Sequence, residues 1–243
     1  MRWLFALLLL LTTPAIAADC QNISHAGNRY TACTVDLTTE ELRLFLYSDA
    51  GQPLGHFSSV DQSLAKHGLR LNFAMNAGMY HDNRAPVGHY VENGTELMRV
   101  IPNAGPGNFG LLPNGVLCLR QNRADVIETL KFIRTKPRCT HATQSGPMLV
   151  IDGALHPRFL IDSTSRYIRN GVGTSRDGKT ATFVISNNPV TFHQFGSLFR
   201  DVFATPNALY FDGKVSRLYA PALGRADIGF YLGPIIGTVE KSR

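Results

Sequence analysis

The feature that most restricts the fold of this sequence is a series of short apolar runs, many of which end at a turn signal such as Asp-Gly or Asn-Gly. Short runs of this kind are typical of β-strands. The clearest examples are residues 30–37, 42–47, 71–75, 116–119, 148–151, 182–186 and 207–211. We also predict a hairpin that turns at Asp177–Gly178 and a last pair of strands within residues 224–237. The sequence therefore predicts an α+β fold, a single and predominantly β domain with mixed sheets and a few helices.

Two segments have the spacing of helices rather than of strands. One helix is predicted over residues 60–69, where Ser58 or Ser59 can cap the N-terminus and Gly68 marks the end. A second helix is predicted over residues 192–203, whose apolar side chains recur at helical intervals. We interpret that apolar stripe as core packing rather than as an aromatic platform for a sugar.

The N-terminus predicts export. An apolar run over residues 3–11 follows a basic residue, and residues 15–17 read Ala-Ile-Ala, a small-x-small cleavage signal. We therefore predict a signal peptide at residues 1–17 and a mature domain at residues 18–243, in the periplasm or secreted. Because the apolar run is too short to span a bilayer, no stable membrane insertion is expected.

The length and charge of the chain indicate its domain number and its kind of ligand. The 243 residues can bury one sizeable core, and no low-complexity tract divides them. The formal net charge is +6, without a run of consecutive Lys or Arg. This balance argues against a nucleic-acid partner and suits an anionic ligand. The sequence has no phosphate-binding loop motif and no HExxH metal motif, so we expect no cofactor and no metal.

Four cysteines in an exported chain predict two disulfides. They are Cys20, Cys33, Cys118 and Cys139, and three connectivities are possible. We favour the local pairs, Cys20 with Cys33 and Cys118 with Cys139, because each pair flanks a predicted hairpin or loop. The absence of a CxxC motif argues against thiol redox catalysis and thiolate zinc sites.

Polar side chains follow several predicted strands, at the points where the apolar runs end: Asn76, Ser145, Arg169, Asn187 and Asp212. A cleft lined by them would combine a guanidinium for phosphate, amides and a hydroxyl for sugar hydroxyls, and a carboxylate. A purely structural interpretation also exists. Asp212 can cap its own turn, Ser145 can be a turn residue, and Arg169 can neutralise a buried carboxylate.

A series of short motifs runs through the chain between about residues 71 and 219. In order, they are Asn76-Ala77-Gly78-Met79-Tyr80, Pro86-Val87-Gly88, Gly107-Asn108-Phe109, Gln144-Ser145-Gly146-Pro147 with Asp152-Gly153, residues 169–173, Asp177-Gly178 and Leu209-Tyr210-Phe211-Asp212-Gly213. In order and content, this series resembles the phosphodiester glycosidase family. That family's first motif usually reads Asn-Gly-Gly and its carboxylate motif Asp-Gly-Gly-Gly-Ser. Here Ala77 and Met79 alter the first motif, and Lys214 and Val215 replace two glycines of the second.

The resemblance implies roles for two residues. Asp212 would face the anomeric carbon, as nucleophile or as stabiliser of an oxocarbenium-like transition state. Arg169 would hold the phosphate, which leaves readily as an anion and needs no acid. Asp177 is a candidate second carboxylate, although it also fits an ordinary hairpin turn. The full set of predicted substrate-binding residues is Asn76, Gly78, Tyr80, Ser145, Gly146, Asp177, Asn187, Gly213 and Ser216.

The leading functional hypothesis is an exported hydrolase of a glycosyl phosphodiester or a related cell-envelope glycan linkage. Its partner would be a glycan or sugar-phosphate substrate. The alternative is a non-catalytic periplasmic protein that binds a carbohydrate or anionic glycan, which the altered motif after Asp212 favours. A purely structural envelope protein would lack a cleft with converging polar groups.

Overall fold

The computed structural model describes residues 18–242, so the predicted signal peptide at residues 1–17 lies outside the described residues. The strands, in order, are β1 (Asp19–His25), β2 (Asn28–Asp36), β3 (Glu41–Phe45), β4 (Leu69–Asn76), β5 (Tyr90–Glu92), β6 (Thr95–Met98), β7 (Gly115–Arg120), β8 (Arg123–Glu128), β9 (His141–Ser145), β10 (Met148–Ile151), β11 (Ala154–Leu155), β12 (Asn170–Thr174), β13 (Thr180–Ser186), β14 (Asn207–Asp212), β15 (Leu218–Ala220), β16 (Arg225–Ala226) and β17 (Ile235–Lys241).

The strands form three sheets. The first has seven strands in the order β1-β2-β13-β12-β14-β10-β11. The second has the order β16-β15-β4-β17-β3, and the third has the order β6-β5-β9-β7-β8. Each pairing of neighbouring strands in these sheets is antiparallel. The predominantly β, α+β class is therefore confirmed, and the mixed sheets of the prediction are replaced by antiparallel ones.

Three helices accompany the sheets: α1 (Phe57–Ala65), α2 (Thr129–Thr135) and α3 (Phe192–Asp201). The structure confirms two predicted helices, but α1 begins at Phe57, with no side-chain hydrogen bond at its N-cap. Ser58 therefore lies inside α1 and does not cap it. Helix α2 was not predicted. It is short, and the Glu128 carboxylate caps it by accepting from the backbone N–H groups of Leu130 and Lys131.

The three sheets pack around one central core, and each carries a helix on its other face. The side chains of β14 divide between the central core and the face covered by a helix, because successive side chains of a strand point to opposite faces. Leu209 and Phe211 enter the central core, whereas Ala208 and Tyr210 pack with Phe195 of α3. In the same way, α1 covers the second sheet and α2 covers the third. Among residues 18–242, no helix has the length and apolarity needed to cross a bilayer.

Both predicted disulfides are present, in the local pairing. Cys20 of β1 bonds to Cys33, its direct cross-strand partner on β2. Cys118 of β7 bonds to Cys139, which follows α2. Two disulfides fit a protein of an oxidising compartment.

The last predicted strand pair is wrong in its pairing. Residues 224–237 contain β16 and the start of β17, but β16 pairs with β15, and β17 lies between β4 and β3. The apolar residues Ile235 and Ile236 are fully buried, which favours a central strand over a surface hairpin.

Candidate functional site

Residues from distant parts of the chain lie close together at one end of the first sheet. Strand β12 begins there and strands β13 and β14 end there, so that Asn170 is the register partner of both Ile185 and Asp212. The turn between β9 and β10 lies beside them, where the Ser145 hydroxyl donates to the carbonyl of Phe211 at 3.0 Å. Antiparallel pairing therefore brings together side chains that are far apart in sequence.

Asp212 is half-buried at the end of β14. Its Oδ1 accepts from the backbone N–H groups of Gly213 at 2.6 Å and Lys214 at 2.9 Å. Its Oδ2 receives no hydrogen bond from the described residues. Burial raises the pKa of Asp212, and the two backbone hydrogen bonds and the charge of Lys214 oppose the rise. One carboxylate oxygen therefore holds the turn, and the other is unengaged.

Arg169, which precedes β12, is the largest fully buried side chain, with 1% of its surface exposed. Its guanidinium lies 3.7 Å from the centroid of the Phe192 ring, 5.4 Å from that of Tyr167 and 5.5 Å from that of Tyr210. Tyr167, with 52% of its surface exposed, is the outermost of these rings. Aromatic faces attract cations, and together the three rings form an aromatic box.

The guanidinium of Arg169 lacks a counterion. Its Nε donates to the carbonyl of Val190 at 2.9 Å and its Nη2 to that of Ser165 at 3.1 Å. Its Nη1 is buried without a hydrogen-bond partner, and no carboxylate of the described chain forms an ion pair with the group. Burial lowers the pKa of Arg169, while Tyr210 and Tyr167 act in the opposite direction. The structural interpretation of Arg169 as partner of a buried carboxylate is therefore wrong.

Tyr210 stands between Arg169 and Asp212, and the sequence analysis did not select it. Burial raises the pKa of the Tyr210 hydroxyl. The positive charge of Arg169 opposes this rise, and the negative charge of Asp212 adds to it. Within the described part of the chain the hydroxyl has no hydrogen-bond partner, and it lies against the backbone of Gly213, in the space that a side chain there would take. A glycine at position 213 is thus required by the Tyr210 hydroxyl.

A buried amide pair supports the turn from the second sheet. The Asn170 amide donates to the carbonyl oxygen and to Oδ1 of Asn76, at 2.8 and 3.1 Å, and Asn170 Oδ1 accepts from the backbone N–H of Asp212 at 3.1 Å. Asn76 Oδ1 also accepts from the backbone N–H of Arg217 at 2.8 Å. Asn76 is fully buried. It therefore holds the two sheets together and is not exposed to a sugar in this structure, and Asn170 is a residue that the sequence analysis missed.

Ser145 and Ser216 are also engaged in the fold. The Ser216 hydroxyl lies within reach of three acceptors, the carbonyls of Asp212 and Ile168 and Oδ1 of Asn170, at 2.9, 3.0 and 3.2 Å. Ser145 is fully buried. Both hydroxyls act on the backbone around Asp212, so they position the turn rather than face solvent.

Tyr80 packs against the segment that precedes β17. The half-buried ring packs against the backbone of Gly233, and its hydroxyl donates to the carbonyl of Tyr231 at 3.5 Å. Burial raises the pKa of Tyr80, and the negative charge of Asp212 adds to the rise.

The remaining predicted residues are placed as follows. Gly78 packs against Thr143 and Gln144 of β9, and Gly146 packs against Asn114, with no room for a side chain at either glycine. The Asn187 amide oxygen accepts from Nη1 of Arg225 at 2.7 Å, at the same end of the sheet but towards β2.

Asp177 is not part of this group, which corrects the prediction of a second carboxylate. It lies in the β12–β13 turn, beyond Thr174 and so at the opposite end of β12 from Asn170. Its Oδ1 accepts from the Ser175 hydroxyl at 2.6 Å and the Lys179 backbone N–H at 3.0 Å. These bonds lower its pKa. The hairpin interpretation is therefore the correct one.

Comparison with known proteins is consistent with the motif order. A model of the phosphodiester glycosidase family matches residues 70–226. Over 219 residues, the chain is 31% identical to the uncharacterised protein YigE of Escherichia coli (strain K12), in an alignment that covers 90% of this chain and 85% of YigE.

Two solved structures share the fold. A hypothetical protein from Synechocystis superposes with a TM-score of 0.60 at 12% identity, over 91% of this chain and 61% of that protein. The catalytic domain of zebrafish N-acetylglucosamine-1-phosphodiester alpha-N-acetylglucosaminidase, auto-inhibited by its pro-peptide, superposes with a TM-score of 0.58 at 12% identity, over 94% of this chain and 83% of that domain. At such low identity, these similarities establish the fold alone.

Proposed function

Since this chain belongs to the phosphodiester glycosidase family, we propose that it is an exported hydrolase that cleaves a glycosyl phosphodiester, or a related glycan linkage of the cell envelope. The observation that carries the proposal is the Arg169 guanidinium, buried without a counterion at the sheet end that also bears Asp212. An unpaired buried cation is costly for folding, and an anionic ligand would supply the missing charge.

In this proposal, Arg169 holds the phosphate. Its Nη1 has no hydrogen-bond partner among residues 18–242, so it can donate to a phosphate oxygen without breaking a hydrogen bond of the fold. Because the guanidinium is almost fully buried, the substrate must displace Tyr167, the most exposed ring of the aromatic box. A preorganised cation of this kind favours the charge that develops on the leaving group.

Asp212 acts at the sugar. The unengaged Oδ2 faces the anomeric carbon, and its negative charge stabilises the oxocarbenium-like transition state or attacks that carbon. The bond between the anomeric carbon and the ester oxygen breaks, and this oxygen leaves with the electron pair as part of a phosphate monoester. Water supplies the hydroxyl group of the released sugar, and its remaining proton goes to solvent.

The other residues keep these two groups in place. Asn76, Ser145 and Ser216 bond to the backbone around Asp212 or to Asn170. Tyr80 is half-buried, and the exposed part of its ring can contact the sugar. We assign Gly78, Gly146 and Gly213 to close packing, and Asn187 to the outer edge of the site.

A second candidate function is the binding of an anionic glycan without turnover. It is favoured by Lys214, which follows the Asp212 turn and adds a cation to it. Such a protein would use the guanidinium and the lysine for affinity and would not need the Asp212 carboxylate.

The test is the release of N-acetylglucosamine from a synthetic sugar-1-phosphodiester by the purified protein. We expect turnover in the parent and its loss in Asp212→Asn and Arg169→Ala. Asp177→Asn and Arg176→Ala, which change a carboxylate and a guanidinium at the opposite end of β12, are the matched controls and should retain it. Sugar-phosphate binding without turnover in the parent would contradict the hydrolase and support the binding protein.

A further inference from the structure

The most exposed large hydrophobic side chains of residues 18–242 are concentrated on two loops. The Tyr167 loop, residues 156–169, and the Phe230 loop, residues 227–234, connect strands at the candidate site. Among the large hydrophobic side chains of the described chain, the six most exposed are Ile228 (93%), Phe230 (83%), Ile161 (80%), Leu160 (65%), Tyr167 (52%) and Tyr231 (52%). Single exposed apolar residues are ordinary, but their collection on two loops is not.

Both loops lie close to the Asp212 turn. The Cβ atom of Tyr167 lies 3.6 Å from the position that a side chain at Gly213 would take. The Phe230 loop is bonded to the strand that follows the turn, because the backbone N–H of Asp227 donates to the carbonyl of Leu218 at 3.0 Å. The exposed side chains of both loops are therefore carried by segments that begin or end near the site.

The loops are anchored at their bases and protrude at their tips. The Tyr167 backbone pairs with Val190, and Phe159 stacks on Phe192 with ring centroids 5.0 Å apart. In the Phe230 loop, the backbone N–H of Leu232 donates to the carbonyl of Gly55 at 2.8 Å. Leu160 and Ile161 lie between the anchors of their loop, and Ile228 and Phe230 lie between those of theirs, whereas Tyr167 and Tyr231 are held against the fold.

Basic residues outnumber acidic ones on the Tyr167 loop, and Lys214 adds a further cation in the Asp212 turn. Arg158, Arg166 and Lys214 form no ion pair within the described part of the chain. The same loops carry two acidic residues, Asp162 and Asp227, and Asp227 is bonded to Arg225 at 2.9 Å. Protruding apolar side chains with unpaired cations beside them match a bilayer surface that carries anionic headgroups.

We propose that the Tyr167 and Phe230 loops dock on an anionic lipid surface and present the site to glycosyl phosphodiesters carried by lipids in that surface. The docking part stands on the two loops alone, and the substrate part rests on the proposed function. Nearly complete exposure of Ile228 and Phe230 suits insertion among acyl chains, where an apolar side chain leaves water without needing a matching protein pocket.

The test is sedimentation with vesicles. Protein beginning at Ala18, which includes every described strand and helix, is mixed with vesicles of phosphatidylglycerol and phosphatidylethanolamine, or of phosphatidylcholine alone. We expect binding to the anionic vesicles. Ile228→Ser with Phe230→Ser, and Leu160→Ser with Ile161→Ser, should each weaken it about tenfold or more. The control, Leu97→Ser with Leu130→Ser, changes exposed side chains of β6 and α2 and should retain it.

A fluorescent reporter makes the test specific for the tip. Trp3 is the only tryptophan of the sequence, and the protein that begins at Ala18 lacks it. Phe230→Trp therefore gives that protein a single tryptophan. Its emission should shift to shorter wavelength when anionic vesicles are added. No vesicle binding, or equal binding in the loop variants and the control, would overturn the proposal. Concentration-dependent self-association that the loop variants abolish would overturn it in favour of a second copy of the chain.

Turnover of a soluble phosphodiester separates the two proposals. Loop variants that lose vesicle binding should hydrolyse the soluble substrate as the parent does, because the changed side chains are exposed and none belongs to the aromatic box around Arg169. Hydrolysis without vesicle binding overturns only the docking proposal, whereas vesicle binding without hydrolysis of any phosphodiester overturns the proposed function and leaves the docking surface supported.

Discussion

Arg169 shows how a single buried residue can indicate function. Moving a charge out of water costs several kcal/mol unless a partner compensates it, and this guanidinium has only two carbonyls and three aromatic rings. A residue kept for stability alone would be better served by an apolar side chain of similar length. The cost is understandable if the charge serves a ligand.

The corresponding prediction concerns Arg169→Met. Methionine fills similar space without a charge, so we expect the free energy of unfolding to stay within about 1 kcal/mol of the parent or to rise. Turnover of the phosphodiester should fall roughly 100-fold or more, because the phosphate loses its cation. Thermal unfolding and kcat/KM measure the two effects. A stability loss of about 3–5 kcal/mol, as for a broken buried ion pair, would show that the Arg169 guanidinium is needed for stability.

A second prediction concerns Gly213 and Tyr210. No positive φ requires glycine at position 213, so Gly213→Ala is disfavoured only by the Tyr210 hydroxyl. We expect Gly213→Ala to destabilise the protein by about 1–3 kcal/mol through overpacking. Adding Tyr210→Phe removes the obstructing oxygen and should restore most of the loss. Equal losses in the single and double variants, measured by denaturant unfolding, would show that another contact is responsible.

The third prediction concerns pH. The proposed mechanism needs Asp212 as a carboxylate, and burial raises its pKa. Activity should therefore be lost as the pH falls through a value above the ordinary pKa of aspartate, about 3.9. The pH profile of kcat/KM measures this limb. Asp177→Asn should leave the limb unchanged, and a limb at or below the ordinary value would contradict the assignment of Asp212.

At the scale of elements, α3 links the core to the site. Thr191 caps it in a capping box with Gln194, and Phe192, the first residue of the helix, lies against the Arg169 guanidinium. Phe195, Leu198 and Phe199 pack on the first sheet. The start of α3 therefore fixes one wall of the aromatic box.

We predict that Thr191→Ala lowers the free energy of unfolding by about 1 kcal/mol, the usual value for a lost N-cap. The melting temperature should fall by about 2–4 °C. Ser58→Ala is the matched control, because this exposed serine lies inside α1 and caps nothing. Equal effects of the two substitutions would argue against the capping box as the source of stability.

At the scale of the whole molecule, the two disulfides close loops at different places. One joins residues 13 positions apart on the edge of the first sheet, and the other joins residues 21 positions apart across α2. Cys20→Ser with Cys33→Ser, and Cys118→Ser with Cys139→Ser, should each lower the free energy of unfolding by about 3 kcal/mol. Reductant added to the parent should reproduce both losses, and a denaturation midpoint insensitive to reductant would refute their contribution.

The fold class followed from local patterns, because strand periodicity and turn residues act over a few neighbours. Pairing was harder to predict. β16 and β17 are consecutive in sequence, but they do not pair with each other in the second sheet, where β15 and β4 lie between them. The helix α2 was missed because its cap is a glutamate and it is short.

The sequence alone predicted the predominantly β class, the main strands and, through motif order, the family, and it favoured the local disulfide pairs that the structure contains. It also identified the turn at Asp212, since Asp-Gly after a buried strand is a local signal. Only the tertiary structure showed that Asp177 lies far from that turn and that Asn170 and Tyr210 contact it. The reason is physical. Turn chemistry depends on neighbours in the chain, whereas burial, strand register and the missing counterion of Arg169 depend on segments that meet only after folding.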